Sequence, residues 1–420
     1  MRSDTTYQAV VIGGGPAGLA AALLLARLGV ETAAIFPPAQ PAGADRRTAA
    51  LFAGSIQLLR NLGIWPQLVP LSERMLAIRL IDGQGGLLRA PETIFQAEEA
   101  GLAEFGFNVP NAALVAALTD AVVREPGVTV IPGSVAELTA LDSGVIIRQQ
   151  DGRHILAALV VGADGRQSLS RNAAGISSRT WDYPQAAIVC AFGHGRPHRG
   201  TSTEFHRPNG PLTTVPMPGR VSSLVWVESR QEAARLRALD DAAFGEALES
   251  SLEGLLGSVG DVGPRAMFPL SGLSADTLGQ GRIALVSEAA HVMPPIGAQG
   301  LNLGLRDVAV LADCVVEAHA AGRSEEAAVA AYARARAPDV ASRIAAIDAL
   351  NRSLLTELLP VHLLRGLGVY VLGAVPALRR FLVNEGLQPS MATPRAMMPD
   401  GIAAIARSST PAMTIASGKT

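Results

Sequence analysis

Gly13-x-Gly15-x-x-Gly18 stands directly after a short apolar run, Gln8–Ile12, and directly before an Ala/Leu-rich stretch, Leu19–Leu28, that stops at Gly29. That order fixes the local fold. A run rich in β-branched residues that ends at glycines is a buried parallel strand. A stretch of strong helix formers closed by glycine is a helix. Thr32–Phe36 then supplies a second strand and completes a βαβ unit. Glycines at 13, 15 and 18 allow a tight turn, approach of a pyrophosphate to the backbone around Ala17 at the helix start, and close helix–strand packing. The chain carries one such fingerprint, so it predicts one tightly held dinucleotide. The acidic residue that usually ends the second strand and accepts a ribose hydroxyl is replaced by Phe36, followed by Pro37 and Pro38, which weakens the adenosine-side anchor.

A chain of 420 residues exceeds the usual size of one core, so this unit belongs to a large composite domain or to one of two or three smaller ones. With 49% apolar and 17% charged residues, the chain is neither disordered nor a coiled coil. Lys and Arg number 35 against 37 Asp and Glu, which leaves no basic excess for binding nucleic acid. Cys190 and Cys314 lie far apart, which suggests no disulfide framework and no metal site, and fits a cytoplasmic protein. Tyr7–Ala26 is uncharged, yet Gly13-Gly14-Gly15-Pro16 interrupts it where a signal anchor needs leucines.

Further along, Met75–Ile81 and Leu87–Arg89 flank Asp82–Gly86 in a hairpin pattern. Ala112–Val123, Gln231–Leu256, Leu301–Ala320 and Glu325–Leu350 read as helices. Val128–Ile131, Val145–Gln149, Ile155–Val161 and Ile283–Val286 read as strands. Ala187–Phe192, Ser202–His206 and Val221–Val227, punctuated by Pro and Gly, form a second, β-rich module.

Two more segments follow strands. Gly162-Ala163-Asp164-Gly165-Arg166-Gln167-Ser168 puts Asp164 at a strand's C-terminal end, where open α/β sheets bind ligands; its plainer role is to cap the turn. Ser287–Asn302 carries the glycine-rich Pro295–Gly300 stretch ahead of a helix, whose N–H groups and dipole favour negative charge. Together with the first fingerprint these resemble, in order, the FAD motifs of flavin monooxygenases of the para-hydroxybenzoate hydroxylase type. The second FAD motif of those enzymes usually begins Gly-Asp, where this chain has Ser287-Glu288. Asp45–Leu51, Thr203-Glu204-Phe205, Asn302–Asp307 and Asn351–Leu355 further resemble the subgroup of ubiquinone-biosynthesis hydroxylases, over about residues 7–385.

The resemblance implies an α/β fold with a discontinuous Rossmann-like FAD-binding domain over 1–73, 101–178 and 276–350. An antiparallel-sheet substrate domain over 74–100 and 179–275 is inserted in it, and a helical C-terminal region covers 351–388. The implied FAD contacts are Gly13, Gly15, Ala17, Gly18, Arg47 on the pyrophosphate, Asp164, Glu288, Pro295, Gly297, Gly300, Leu301 and Asn302. No side chain is implied as catalytic. Reduced FAD, supplied with electrons by NAD(P)H or another donor, captures O2 as a C4a-hydroperoxide, and an electron-rich phenol takes its distal oxygen. The loop holding Pro295 and Gly297 positions the flavin. The implied substrate is a lipophilic, polyprenylated phenol, with other ubiquinone-biosynthesis proteins and a membrane surface as partners. Two alternatives stay open. One is hydroxylation of a soluble aromatic acid, its carboxylate held by Arg79 or Arg207; the other is a non-catalytic FAD-binding scaffold, suggested by Phe36 and Ser287-Glu288.

His291 reads as a packing residue of its loop, and His194, His198 and His206 as turn or pocket-edge residues rather than metal ligands. Residues 389–420 lack periodicity and read as a poorly ordered tail. Within Leu363–Arg380, the uncharged part, Gly366–Leu378, is flanked by Arg365, Arg379 and Arg380. A helix of that length reaches about 20 Å, short of a ~30 Å hydrocarbon core, so it reads as an interfacial helix or a packing helix.

Overall fold

The first βαβ unit forms as the sequence predicts, with β1 (Thr5–Ile12), α1 (Pro16–Arg27) and β2 (Thr32–Phe36). The computed structural model describes residues 5–38, 47–83, 92–355 and 392–409. Every residue from Ala17 to Ala26 of α1 is buried, because the helix is covered all round by the sheet and by two later helices, α4 (Asn111–Arg124) and α8 (Gln299–Ala320). β8 (Val128–Pro132), β11 (His154–Gly162) and β19 (Ile283–Leu285) join β1 and β2 in a parallel sheet ordered β19-β11-β1-β2-β8. β9 (Val135–Leu141), β10 (Gly144–Gln149) and β18 (Gly279–Gln280) extend it with antiparallel pairings. The register sets Ile12 beside Gly162 and Gly162 beside Leu285, so all three motif turns leave the same end of the sheet together.

A second, nine-stranded sheet is built from β5 (Ala77–Asp82), β6 (Thr93–Gln96), β12 (Ser178–His194), β13 (Thr201–Arg207), β14 (Gly210–Met217) and β15 (Val221–Ser229). β16 (Val259–Gly260), β17 (Ala266–Ala275) and β20 (His291–Val292) complete it. One pairing departs from the antiparallel expectation, since β13 runs parallel to β5, which arrives from far earlier in the chain. A small sheet of β3 (Thr48–Phe52), β4 (Glu73–Met75) and β7 (Gly106–Pro110) completes the strands. Residues 84–91, which hold part of the predicted hairpin, lie outside the described residues.

Alternation along the strands gives the large sheet two different faces. On the outer face Ile188, Cys190, Phe205, Leu212, Leu224 and Trp226 are buried against α6 (Arg230–Ala238) and α7 (Asp241–Ser251). The predicted single helix over 231–256 breaks there because the Asp240 carboxylate accepts the Ala243 N–H at 2.8 Å and starts a new helix. The inner face carries Ile78, Leu80, Val189, Glu204, Thr213, Val215 and Val225, none of them fully buried.

The shorter helices α2 (Ala53–Asn61), α3 (Trp65–Leu68) and α5 (Leu169–Ala173) fill the joints, and α9 (Glu325–Leu355) packs along α8. Tyr183 donates to the Asp348 carboxylate at 2.6 Å, and Asn351 to Gln185 at 2.9 Å, tying the end of α9 to β12. The poorly ordered tail expected over 389–420 is corrected over 392–409. A turn at Arg395–Met397 and a helix at Gly401–Ser409 dock on α2 and α8. Ala396, Met397 and Ile405 are buried, and Arg395 pairs with Asp313 at 3.1 Å. The apolar Leu363–Arg380 stretch lies outside the described residues.

Candidate flavin and substrate site

Gly13 and Gly15 are constrained in opposite ways. A Cβ on Gly13 would sit 2.1 Å from the Ala163 carbonyl oxygen, and its φ of +124° belongs to glycine, so the protein itself demands this residue. A Cβ on Gly15 would meet no protein atom within 4 Å, leaving open the space into which an outside group can come against the backbone. Gly18 packs like Gly13, its missing Cβ facing the Gly13 carbonyl oxygen, and Ala17 is buried at the start of α1. No side chain caps α1, and none caps α8, whose N-cap, Ala298, is left-handed at φ 53°. Two long helices thus begin with N–H groups unclaimed by side-chain caps, a donor set that suits the pyrophosphate and the anionic ring of a reduced flavin. The residues present fit FAD.

The loop before α8 keeps Pro295 and Gly297 exposed, Gly297 at φ +64°, while Ile296 is buried beneath them. Gly300 has open space and Leu301 is half-buried. Asn302 is an anchor within the protein: its oxygen accepts from Phe52 N at 2.9 Å and Ser55 Oγ at 2.8 Å, and its amide nitrogen donates to the Ala50 and Ala298 carbonyls. All its bonding goes to fixing the loop on β3 and α2. Asp164 is similar, for its carboxylate accepts from Ser168 Oγ at 2.6 Å, Ser170 N at 2.9 Å and Ser170 Oγ at 3.1 Å. The capping role is the one the geometry displays. Glu288 is exposed and paired with Arg166 at 3.3 Å. Arg47 lays its guanidinium over the Phe268 ring, 5.3 Å from the centroid, at the rim of the inner face.

Three linkages escaped the sequence reading. The buried Arg171 donates to the Ala289 and Arg166 carbonyls, both at 2.8 Å, and so ties the second turn to the third. Ser287, at φ 57°, donates its N–H to Asp307 at 3.0 Å. His291 approaches the same carboxylate at 2.6 Å, and Arg336 holds its other oxygen at 2.9 Å. Burial works against a charged Asp307, but His291 and Arg336 outweigh it and hold its carboxyl below the usual range. Arg336 and Arg343 also pair with Asp339, and Arg343 donates to Gln299 at 2.8 Å, so one buried network grips the flavin loop on both sides. His194 is held by Arg196 and Ser222, His198 by Met217, and His206 by Glu204. Among the described residues no cluster of His, Cys, Asp and Glu could hold a metal ion.

Beyond the loop lies an apolar cluster of Phe52, Met75, Phe95, Ala97 and Phe105, against which Ala298, Ile78, Leu80 and Val215 pack. The inner face of the large sheet therefore meets the flavin loop through apolar side chains. Residues 6–346 match the family described as FAD binding domain. The chain belongs to that family. Among curated members, it is 37% identical over 394 residues to the ubiquinone hydroxylase UbiL of Rhodospirillum rubrum, covering 92% of this chain and 90% of that one. It is 29% identical to the 3-demethoxyubiquinol 3-hydroxylase of Escherichia coli, covering 90% of this chain and 97% of that one. The fold matches p-nitrophenol 4-monooxygenase PnpA of Pseudomonas putida with a TM-score of 0.76 at 17% identity, covering 92% of this chain and all of that one. Membership of the FAD binding domain family makes FAD the cofactor, and the uncapped helix starts and the open Gly15 suit such a ligand.

Proposed function

We propose that this chain is an FAD-dependent monooxygenase that hydroxylates the ring of a polyprenylated phenol on the route to ubiquinone. The observation that carries this reading is the half-open apolar inner face placed against the flavin loop. FAD held there would, once reduced, supply the electrons that activate O2, so that one oxygen atom of O2 enters the ring and the other leaves as water. The protein's own work is positional: α1 and its glycine turn hold the pyrophosphate, the uncapped α8 start favours an anionic ring, and the apolar floor excludes water. Glu288 and Arg47 are proposed ligands of the ribityl chain and the pyrophosphate. NAD(P)H or another reductant supplies the electrons. The soluble-acid alternative loses its cations, because Arg79 and Arg207 alternate onto the outer face with Ile81 and Phe205. Arg79 lies 3.1 Å from Glu92, an ion pair without hydrogen-bond alignment, and Arg207 stacks on Trp226. Cells lacking the gene should accumulate a prenylated phenol one oxygen short, and the purified protein should be yellow. Unchanged quinone content from a yellow protein overturns the hydroxylase reading, and a colourless protein overturns flavin-borne chemistry.

A greasy substrate favours a catalyst at a membrane surface. Among the described residues no helix is long and apolar enough to cross a membrane. The uncharged 366–378 stretch between Arg365 and Arg379-Arg380 supports surface attachment, beside other proteins of the same route. Burying several of its Leu and Val side chains at about 1.5–3 kcal/mol each outweighs the loss of free translation. The wild type should float with liposomes, and Val369, Val371 and Leu372 changed together to Ser should stay in the pellet fraction; equal flotation rejects the attachment.

A further inference from the structure

We propose that Glu204, steadied by His206, receives the phenolic hydroxyl and makes the site prefer a neutral phenol to an aromatic acid. This rests on the hydroxylase reading above and names the group that reads the substrate's polar end. In the register of the large sheet Glu204 lies beside Leu80 of β5 and Thr213 of β14. Leu80 packs on the same apolar cluster as Ala298 of the flavin loop, so Glu204 is the ionisable residue next to the apolar floor at that point. Its neighbours Thr203 and Phe205 alternate to the buried outer face, while Glu204 stays half-buried with its side chain 15% exposed. Nε2 of His206 lies 2.8 Å from Oε1 of Glu204, and the Thr213 hydroxyl donates to Oε2 at 3.5 Å. An ionised carboxylate offers about four acceptor positions, so these two contacts hold the group in place and leave it able to accept from a substrate hydroxyl.

The charge arrangement on the sheet points the same way. Along β5, β13, β14 and β15 the inner positions of the described residues carry no Lys or Arg, and the sheet's arginines at 79 and 207 sit on the far face. A hydroxyl donor meets an acceptor there. A carboxylate brought to the same place meets the like charge of Glu204 in a poorly hydrated site, and no Lys or Arg at the inner positions of these strands answers it. The preference follows from what the site repels as much as from what it binds.

The test uses the FAD-loaded protein and a matched pair of probes, 2-geranylphenol and 3-geranyl-4-hydroxybenzoate, which differ only by a carboxylate. Binding is read as the change each probe causes in the flavin absorbance. Wild type should bind the phenol at least about a hundredfold tighter than the acid. Glu204→Gln keeps the shape but removes the charge; it should weaken the phenol and strengthen the acid by about tenfold each, since a hydrogen bond to a charged group outweighs a neutral one by about that much. Arg79→Gln, on the opposite face, should leave the preference as in wild type. If Glu204→Gln loses flavin, Glu204→Asp, which withdraws the carboxylate by one methylene, goes through the same assay and should lower the preference. A wild-type preference in a flavin-loaded Glu204 variant overturns the assignment while the hydroxylase reading stands. A wild type that neither binds nor hydroxylates the phenol overturns both.

Discussion

Gly15→Val protein should purify folded and colourless. At φ −75° and ψ 169°, residue 15 has a backbone that valine adopts without strain, and its Cβ meets no protein atom within 4 Å. The apoprotein should therefore melt where the wild-type apoprotein does. The added methyl groups instead fill the place where the pyrophosphate reaches the N–H groups of α1. Losing two hydrogen bonds to a charged group, at about 1.5–3 kcal/mol each, weakens FAD binding by roughly two to four orders of magnitude. Gly13→Ala should behave in the opposite way, failing to fold whether or not FAD is present, because its Cβ collides with the Ala163 carbonyl. Wild-type flavin content in Gly15→Val would show that the pyrophosphate lies elsewhere.

The second large effect is expected at Asp307. Replacing it with alanine takes from Arg336, which is 2% exposed, one of its two carboxylate partners and removes the acceptor for Ser287 N–H and His291. Breaking a buried ion pair from one side costs up to about 3–5 kcal/mol, a loss that urea unfolding at saturating FAD should show. Removing both charges with Asp307→Leu and Arg336→Met should recover most of the loss. The pH dependence has a definite sign. The folded-state carboxyls of Asp307 and Asp339 are held below their ordinary value, so their stabilisation is complete above the unfolded value of about 3.9 and disappears as pH falls through the folded one. The gap between wild type and Asp307→Ala should therefore narrow in acid. A cost under about 1 kcal/mol at neutral pH would mean that the network is not the support described.

The first βαβ unit is legible because its signals are local. A glycine turn between a strand and a helix dictates its own geometry, and the Thr32–Phe36 strand has the predicted bounds. Asp164 is harder, since its spacing to Ser168 and Ser170 serves a cap as well as a ligand site. The Asp307 network joins positions 287, 291, 307, 336 and 339 across four elements, which no local pattern reveals. One signal was present: Tyr332, Arg336, Asp339 and Arg343 repeat at helical spacing along α9. A charged stripe of that kind normally faces water. The 392–409 segment was misread because its buried residues, Ala396, Met397 and Ile405, are too few for a periodicity to show.

The alternation along β13, β14 and β15 separates two kinds of inherited constraint. Phe205 of β13, Leu212 of β14 and Leu224 and Trp226 of β15 are locked into the core against α6 and α7, so drift there is paid in stability. Ser202 and Glu204 on the inner face are only half-buried, and exchanging them leaves the outer packing untouched. Selection can therefore explore new ring substituents and chain lengths one strand position at a time, while the scaffold and its flavin stay as they were. A combinatorial library confined to the half-buried inner residues of these three strands would sample substrate range nearly free of the unfolding that burdens random mutagenesis.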